Sequence, residues 1–156
     1  MQSSSRQSRA GAQPLRTLEQ TVFLQIQKTA DALMGEVADL LKPVGLSPTQ
    51  YNVLRVLRAA GPDGLPCGRI AGRMLTREPD MTRLLDRLQK RGLIARGRDP
   101  TDRRVVLGRI TSKGLKMLEG LDEPVLELHR RQLRHLGRKS LRELADLLQN
   151  ARRRTQ

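Results

Sequence analysis

The stretch from residue 76 to 111, TREPDMTRLLDRLQKRGLIARGRDPTDRRVVLGRIT, constrains the fold more than any other part of the chain. Met81, Leu84, Leu85 and Leu88 fall at i, i+3, i+4 and i+7, the apolar stripe of an amphipathic helix. Pro79, Asp80, Thr82, Arg83, Asp86, Arg87 and Lys90 take the opposite, polar face. Gly92 stands where a helix C-cap glycine belongs. Two β-branched-rich stretches follow, 93–96 and 105–110, separated by the polar, turn-forming RDPTDRR. A short helix with a polar outer face that runs into a hairpin with an arginine-rich tip predicts a winged helix-turn-helix. In that arrangement the helix enters a major groove and the hairpin tip reaches along the backbone or into a minor groove.

Charge points the same way. Thirty Lys and Arg against sixteen Asp and Glu leave a formal charge of +14, which predicts a polyanionic partner because each neutralised phosphate releases counterions. Phe23 and Tyr51 are the only aromatic residues. Single strands and most RNA sites are held by aromatic stacking platforms, which this chain lacks, so double-stranded DNA is favoured. One cysteine, Cys67, excludes an internal disulfide and is compatible with a reducing compartment. No apolar run reaches membrane-spanning length and the N-terminus has no signal-peptide core, so the expectation is a cytoplasmic protein with no membrane partner.

In chain order, residues 1–16 are rich in Ser, Gln and Arg and predict a disordered N-terminal arm. From 17 to 41 the spacing of Leu18, Val22, Ile26, Ala30, Leu33, Val37 and Leu40 predicts a long helix, with Thr17 and Gln20 as a capping box and KPVG at 42–45 as its stop. Ser47 and Pro48 open a second helix that buries Val53, Leu54 and Leu57. A third covers about 66–75, with Ile70, Ala71, Met74 and Leu75 inward. Thr111 caps a long helix with Leu115, Leu118, Leu121, Val125 and Leu128 at near-heptad spacing, in which Pro124 predicts a kink or a break. A last helix, at about 138–152, carries Leu141, Leu144, Leu147 and Leu148.

The pattern LSPTQYNVLRVL, GRIAGRML and MTRLLDRLQKRGLIARGRDPTDRRVVLGRITSKG, over 46–114, resembles the MarR (multiple antibiotic resistance regulator) family of bacterial transcription factors. The wing RDPTDRR, followed by ITSKG and preceded by RLQKRGLI, is its most specific part. The resemblance implies a mainly α fold with a small β-hairpin wing. Residues 17–156 then form one domain, with the winged helix-turn-helix at 46–111 flanked by dimerisation helices at 17–45 and 112–153. It implies a homodimeric repressor on a pseudo-palindromic operator, released from DNA by a small aromatic or anionic ligand.

On this reading Arg83 pairs with a guanine and Thr82 meets a base edge or a thymine methyl, while Arg87 and Lys90 hold phosphates. Pro79 and Asp80 open the recognition helix, and the carboxylates of Glu78 and Asp80 suit either helix capping or, for Asp80, a cytosine amino group. By resemblance Asp102, Arg103 and Arg104 form the wing tip. Arg104 enters the minor groove, Arg103 meets the backbone, and Asp102 pairs with Arg96 or Arg98, which count with them as DNA-binding residues of the wing, to hold the tip in shape. Ser47, Thr49 and Arg69 are weaker backbone candidates. Arg69 stands where relatives often carry an acidic residue, and Pro66 where they often carry a Ser or Thr cap. Cys67 is the one redox candidate, provided that its thiol pKa is lowered; a packing role is the plainer reading. His129 and His135 lie on different helical faces and complete no metal set, and the basic run at 130–139 reads as a solvated face. No phosphate loop, dinucleotide fingerprint or nucleophile elbow is present, so neither an enzyme nor a cofactor is expected. The alternatives are a non-specific architectural protein and a regulator of the same fold without a small-molecule switch.

Overall fold

The computed structural model describes residues 17–75 and 78–153; the arm expected over 1–16 lies outside them. The chain forms two compact units, one ending at Ala32 and the other beginning at Leu33. Helix α1 spans Leu18–Leu41 and contributes to both. In the first unit the capping box is present: the Gln20 N–H donates to the Thr17 hydroxyl at 3.2 Å, and the Thr17 N–H to Gln20 Oε1 at 3.1 Å. Of the large apolar residues of this part, Leu18, Val22, Phe23 and Ile26 are exposed, Leu18 by 74 %, and Leu24 is half-buried.

The second unit opens with the last turns of α1, where Val37 and Leu41 are buried. A 3-10 turn at Lys42–Val44 ends on Gly45 at φ +66°, and the Leu46 N–H returns to the Leu41 carbonyl at 3.2 Å. This is the KPVG stop in its glycine-capped form. Helix α2, Pro48–Ala60, starts at Ser47, which forms a capping box with Gln50. Val53, Leu54 and Leu57 are completely buried, each worth on the order of 1.5–3 kcal/mol of transfer free energy.

The next segment differs from the expected helix over 66–75. Leu65–Pro66 form a short strand, β1, and only Cys67–Ile70 are α-helical (α3) before a 3-10 turn at Ala71–Arg73. Ile70 is buried and Met74 partly so, but Ala71 is exposed and Leu75 is 78 % exposed. The physical reason is local. Gly68 and Gly72 weaken helix propensity, and the Leu75 N–H, instead of joining a helical ladder, donates to the Asn52 side-chain oxygen at 2.9 Å.

Helix α4, Met81–Lys90, buries Leu84, Leu85 and Leu88 as the periodicity predicts. Strands β2, Ile94–Arg98, and β3, Val106–Ile110, form the expected hairpin. Strand β1 adds to its other side, giving an antiparallel sheet of order β1-β3-β2. Leu65 pairs with Gly108, and Arg96 pairs with Gly108 from the opposite strand. Helix α5, Ser112–Leu133, runs unbroken through Pro124, contrary to a break there. Pro124 and Gly120, whose carbonyl loses its partner, are both exposed, so water can satisfy that carbonyl. A 3-10 turn at Arg134–Leu136 leads to α6, Gly137–Arg153, in which Leu144, Leu147 and Leu148 are exposed. Among the described residues no helix is long and apolar enough to cross a membrane.

Helices α2 and α5 are joined across their polar edges by Arg58, whose guanidinium donates two bonds of 2.8 Å to Asp122. The first cause of the lowered Asp122 pKa is this bond. A carboxyl held below its ordinary 3.8 contributes stability above that value and loses it as the pH falls through the lowered one. Asp122→Asn is therefore expected to cost about 0.5–1 kcal/mol near neutral pH, the scale of a partly exposed pair. In urea titrations the difference from the parent should close as the pH drops below the ordinary carboxylate range; a difference independent of pH would contradict this.

Candidate nucleic-acid interface

Helix α4 begins at Asp80, whose carboxylate accepts from the Arg83 N–H at 3.1 Å and lies 3.2 Å from Arg83 Nε. Glu78 accepts in turn from the Asp80 N–H at 3.3 Å. The two carboxylates thus serve the helix start, where the backbone N–H groups and the dipole favour them. Thr82, Arg83, Arg87 and Lys90 all face solvent, and Pro79 is exposed just ahead of them. The Arg83 side chain is 82 % exposed even with Asp80 beside it. Arg87 leans along the helix, with Nε 3.3 Å from the Arg83 carbonyl.

The end of α4 is fixed more firmly than its sequence suggests. Gly92, at φ +69°, donates to the Gln89 carbonyl, and Leu93 donates to the Leu88 carbonyl; this is a Schellman cap. Arg91 donates through its two terminal nitrogens to the carbonyls of Gly45 and Val44, tying α4 to the corner before α2. Arg91 and Asn52 were missed by sequence reasoning. Asn52 is detectable as the one amide inside the apolar run YNVL; Arg91 sits in a basic segment and has no distinguishing signal.

Thr111 joins the wing to the rest of the unit. Its hydroxyl donates to the Gly92 carbonyl at 2.7 Å and accepts from the Gly114 N–H at 3.1 Å. A Cβ on Gly114 would stand 2.3 Å from the Leu93 carbonyl oxygen, so only glycine fits. The ITSKG motif is therefore a packing device at the base of the hairpin.

At the wing tip Asp99 does the organising. Its carboxylate accepts from the Thr101 hydroxyl at 2.6 Å and from the N–H groups of Thr101 and Asp102 at 2.7 and 3.3 Å. Those bonds, the Thr101 hydroxyl first, hold the Asp99 pKa low. Asp102 does not pair with Arg96 or Arg98 as expected: its carboxylate accepts from the Arg104 backbone N–H at 3.0 Å. Arg98 donates instead to the Arg103 carbonyl at 2.6 Å. A carboxylate two residues ahead of an N–H closes a local turn, which is geometrically easier than reaching across the hairpin. Arg103 and Arg104 are left exposed at the tip. Arg96 turns the other way, to Asp86 and Gln89 of α4.

The weaker candidates divide. The Ser47 hydroxyl is engaged in its capping box, Thr49 is half-buried and Arg69 is exposed. A cleft of about 310 Å³ between α3, α4 and β3 is lined by Cys67, Gly68, Ala71, Met81, Thr82, Leu85, Arg96 and Val106. Burial pushes the Cys67 thiol pKa up, and nearby Arg96 offsets this only in part. This is the opposite direction from the lowered pKa that redox reactivity requires. Among the described residues no group of three or more His, Cys, Asp or Glu could hold a metal ion.

With a basic, outward-facing helix set against an arginine-tipped hairpin, comparisons with known proteins give the same class. Residues 46–106 match the MarR family. The chain is 35 % identical over 100 residues to the HTH-type transcriptional regulator MhqR of Bacillus subtilis, covering 64 % of this chain and 68 % of that one. It is 42 % identical to a MarR transcription factor from Planctomyces limnophilus of known structure, with a TM-score of 0.67, covering 86 % of this chain and 98 % of that one. The BpsR regulator of Bordetella bronchiseptica, whose DNA binding is regulated by 6-hydroxynicotinic acid, shares the fold at 19 % identity, with a TM-score of 0.77, covering 87 % of this chain and 96 % of that one. The chain belongs to the MarR family. It is a sequence-specific DNA-binding transcriptional regulator, not an enzyme.

Because the Cys67 thiol is raised and half-buried, alkylation in the native state at neutral pH should be slower than that of a free thiol or of the urea-unfolded chain. Iodoacetamide labelling followed by mass spectrometry measures this. Native labelling faster than in urea would restore the redox reading.

Proposed function

We propose that two copies of the chain form a homodimer that represses transcription by binding a pseudo-palindromic operator, each copy reading one half-site. The observation that carries this is the joint exposure of Thr82, Arg83, Arg87 and Lys90 on α4 with Arg103 and Arg104 on the wing. A short helix with exposed polar residues suits the major groove, and a narrow hairpin with exposed guanidinium groups suits the minor groove or the flanking backbone. Arg83 and Thr82 read base edges, Arg87, Lys90 and Arg103 hold phosphates, and Arg104 enters the minor groove. Asp80 and Pro79 set the helix start. Arg98 supports the tip through the Arg103 carbonyl, and Arg69 adds backbone charge.

The helices at 17–45 and 112–153 form the dimerisation part in this reading. Support comes from the apolar side chains left in solvent: Leu18, Val22, Phe23 and Ile26 on α1, and Leu144, Leu147 and Leu148 on α6. Single copies rarely leave so many large apolar groups in water. Control by a small aromatic or anionic ligand is supported by BpsR, whose DNA binding responds to an aromatic acid. The cleft beside α4, with its largely apolar lining, suits an aromatic molecule.

The test is binding to the DNA upstream of the protein's own coding sequence, in excess random competitor and over a range of salt. A discrete footprint over two half-sites about one helical turn apart is expected, with sedimentation giving a dimer. Arg104→Ala should weaken binding by about 1–3 kcal/mol. Binding that competitor abolishes at every salt concentration, with no footprint, would overturn the proposal.

A further inference from the structure

Arg96 sits in the middle of β2, between the base of the wing and its basic tip, and it is the side chain there that reaches back to the recognition helix. Its Nη2 donates to Asp86 and its Nε to Gln89 Oε1. These two acceptors lie one helical turn apart on α4. The Arg96 side chain is 27 % exposed, against 82 % for Arg83. Its backbone is held as well, paired in register with Gly108. Gly108 itself is packed so closely that a Cβ there would meet Ile70 Cδ1 at 3.3 Å and Cys67 Sγ at 3.6 Å.

We infer that Arg96 is not a DNA contact but a positioning residue. With Asp86 and Gln89 it locks the wing to α4 at a fixed angle, so that tip and helix meet one half-site together. The inference rests on the assignment of α4 and the wing to DNA. The mechanics are those of a lever. A strand advances about 3.3 Å per residue, so the tip stands on the order of 15 Å beyond the base of the hairpin. A small rotation at the base moves Arg103 and Arg104 by ångströms. The base is fixed by Thr111 and the Schellman cap, but a hinge needs a second point of support further along, and Arg96 supplies it. A planar guanidinium can hold two acceptors at once, whereas a lysine is a single point charge. Since Asp86 neutralises the arginine, little charge remains for a phosphate.

The sign of one substitution separates this from a direct contact. Asp86→Ala removes a negative charge beside DNA, so plain electrostatics predicts tighter binding, whereas loss of the lock predicts weaker binding. The experiment measures operator affinity across a salt series for Arg96→Ala, Arg96→Lys, Asp86→Ala and the double variant Asp86→Ala/Arg96→Ala, with Arg104→Ala as control. Hydroxyl-radical footprints report the minor groove, and methylation protection reports the major groove. We expect Arg96→Ala and Asp86→Ala each to weaken binding by about tenfold, and the double variant to be no worse than either single one. The salt slope should stay that of the parent, Arg96→Lys should fail to rescue, and minor-groove protection should fade before major-groove protection.

A salt slope lowered by about one in Arg96→Ala, with Asp86→Ala neutral or tighter, would make Arg96 a phosphate contact and overturn the inference. So would additive losses, or no loss in Arg96→Ala while Arg104→Ala binds weakly. If Arg104→Ala also binds as the parent does, the wing itself leaves the DNA reading and the inference falls with it.

Discussion

The second unit depends on one junction, where the end of α4, the start of β2 and the start of α5 are bonded to each other. The Gly92 carbonyl takes the Thr111 hydroxyl, the Leu93 carbonyl takes the Thr111 N–H at 3.1 Å, and the Arg91 carbonyl takes Lys113 Nζ at 2.8 Å. Three successive carbonyls just beyond the last residue of α4 are thus satisfied by the start of α5. Backbone carbonyls need partners in any fold, so the hairpin between these residues is closed by bonds that have to be made anyway. Gly114 has no side chain because the Leu93 carbonyl occupies that space. Helix α4, the wing and the long helix that follows are consequently oriented by backbone and side-chain bonds at this junction, before any side chain reaches DNA.

Charge is distributed to match. Away from α4 and the wing, three arginines are spent on carboxylates: Arg58 on Asp122, Arg130 on Glu123 and Glu127, and Arg131 on Glu36. Pairs of this kind, exposed to water, contribute little to stability, but they remove positive potential from the surfaces that bear them. Thr82, Lys90, Arg103 and Arg104 stay exposed on the face assigned to DNA, and Asp80 and Asp86 draw the acidic charge of α4 into capping and bracing.

Much of this was legible in the sequence because its causes are local. The Met81–Leu88 stripe, the Ser47 and Thr17 caps, the Gly45 and Gly92 stops and the hairpin are set by residues within a few positions of each other. What was not legible depends on long-range partners. The third strand exists because Leu65 meets Gly108, and the third helix stops early because Asn52 captures the Leu75 N–H. The same holds in the interface. That Arg83, Arg87, Arg103 and Arg104 are exposed follows from helical period and turn composition. That Arg96 folds onto Asp86, and Asp102 onto its own turn, depends on which acceptor lies nearer in three dimensions.

On the proposed reading α4 and the wing form one rigid reader, and two such readers are held at a fixed distance in a dimer. Operator affinity is then to be measured while the separation of the two half-sites is varied. Inserting about five base pairs, half a helical turn, places the second half-site on the opposite face of the duplex. Affinity should then fall toward that of a single half-site and return in part when the insertion reaches a full turn. Affinity indifferent to spacing would show that the readers act independently, and would contradict the proposed reading.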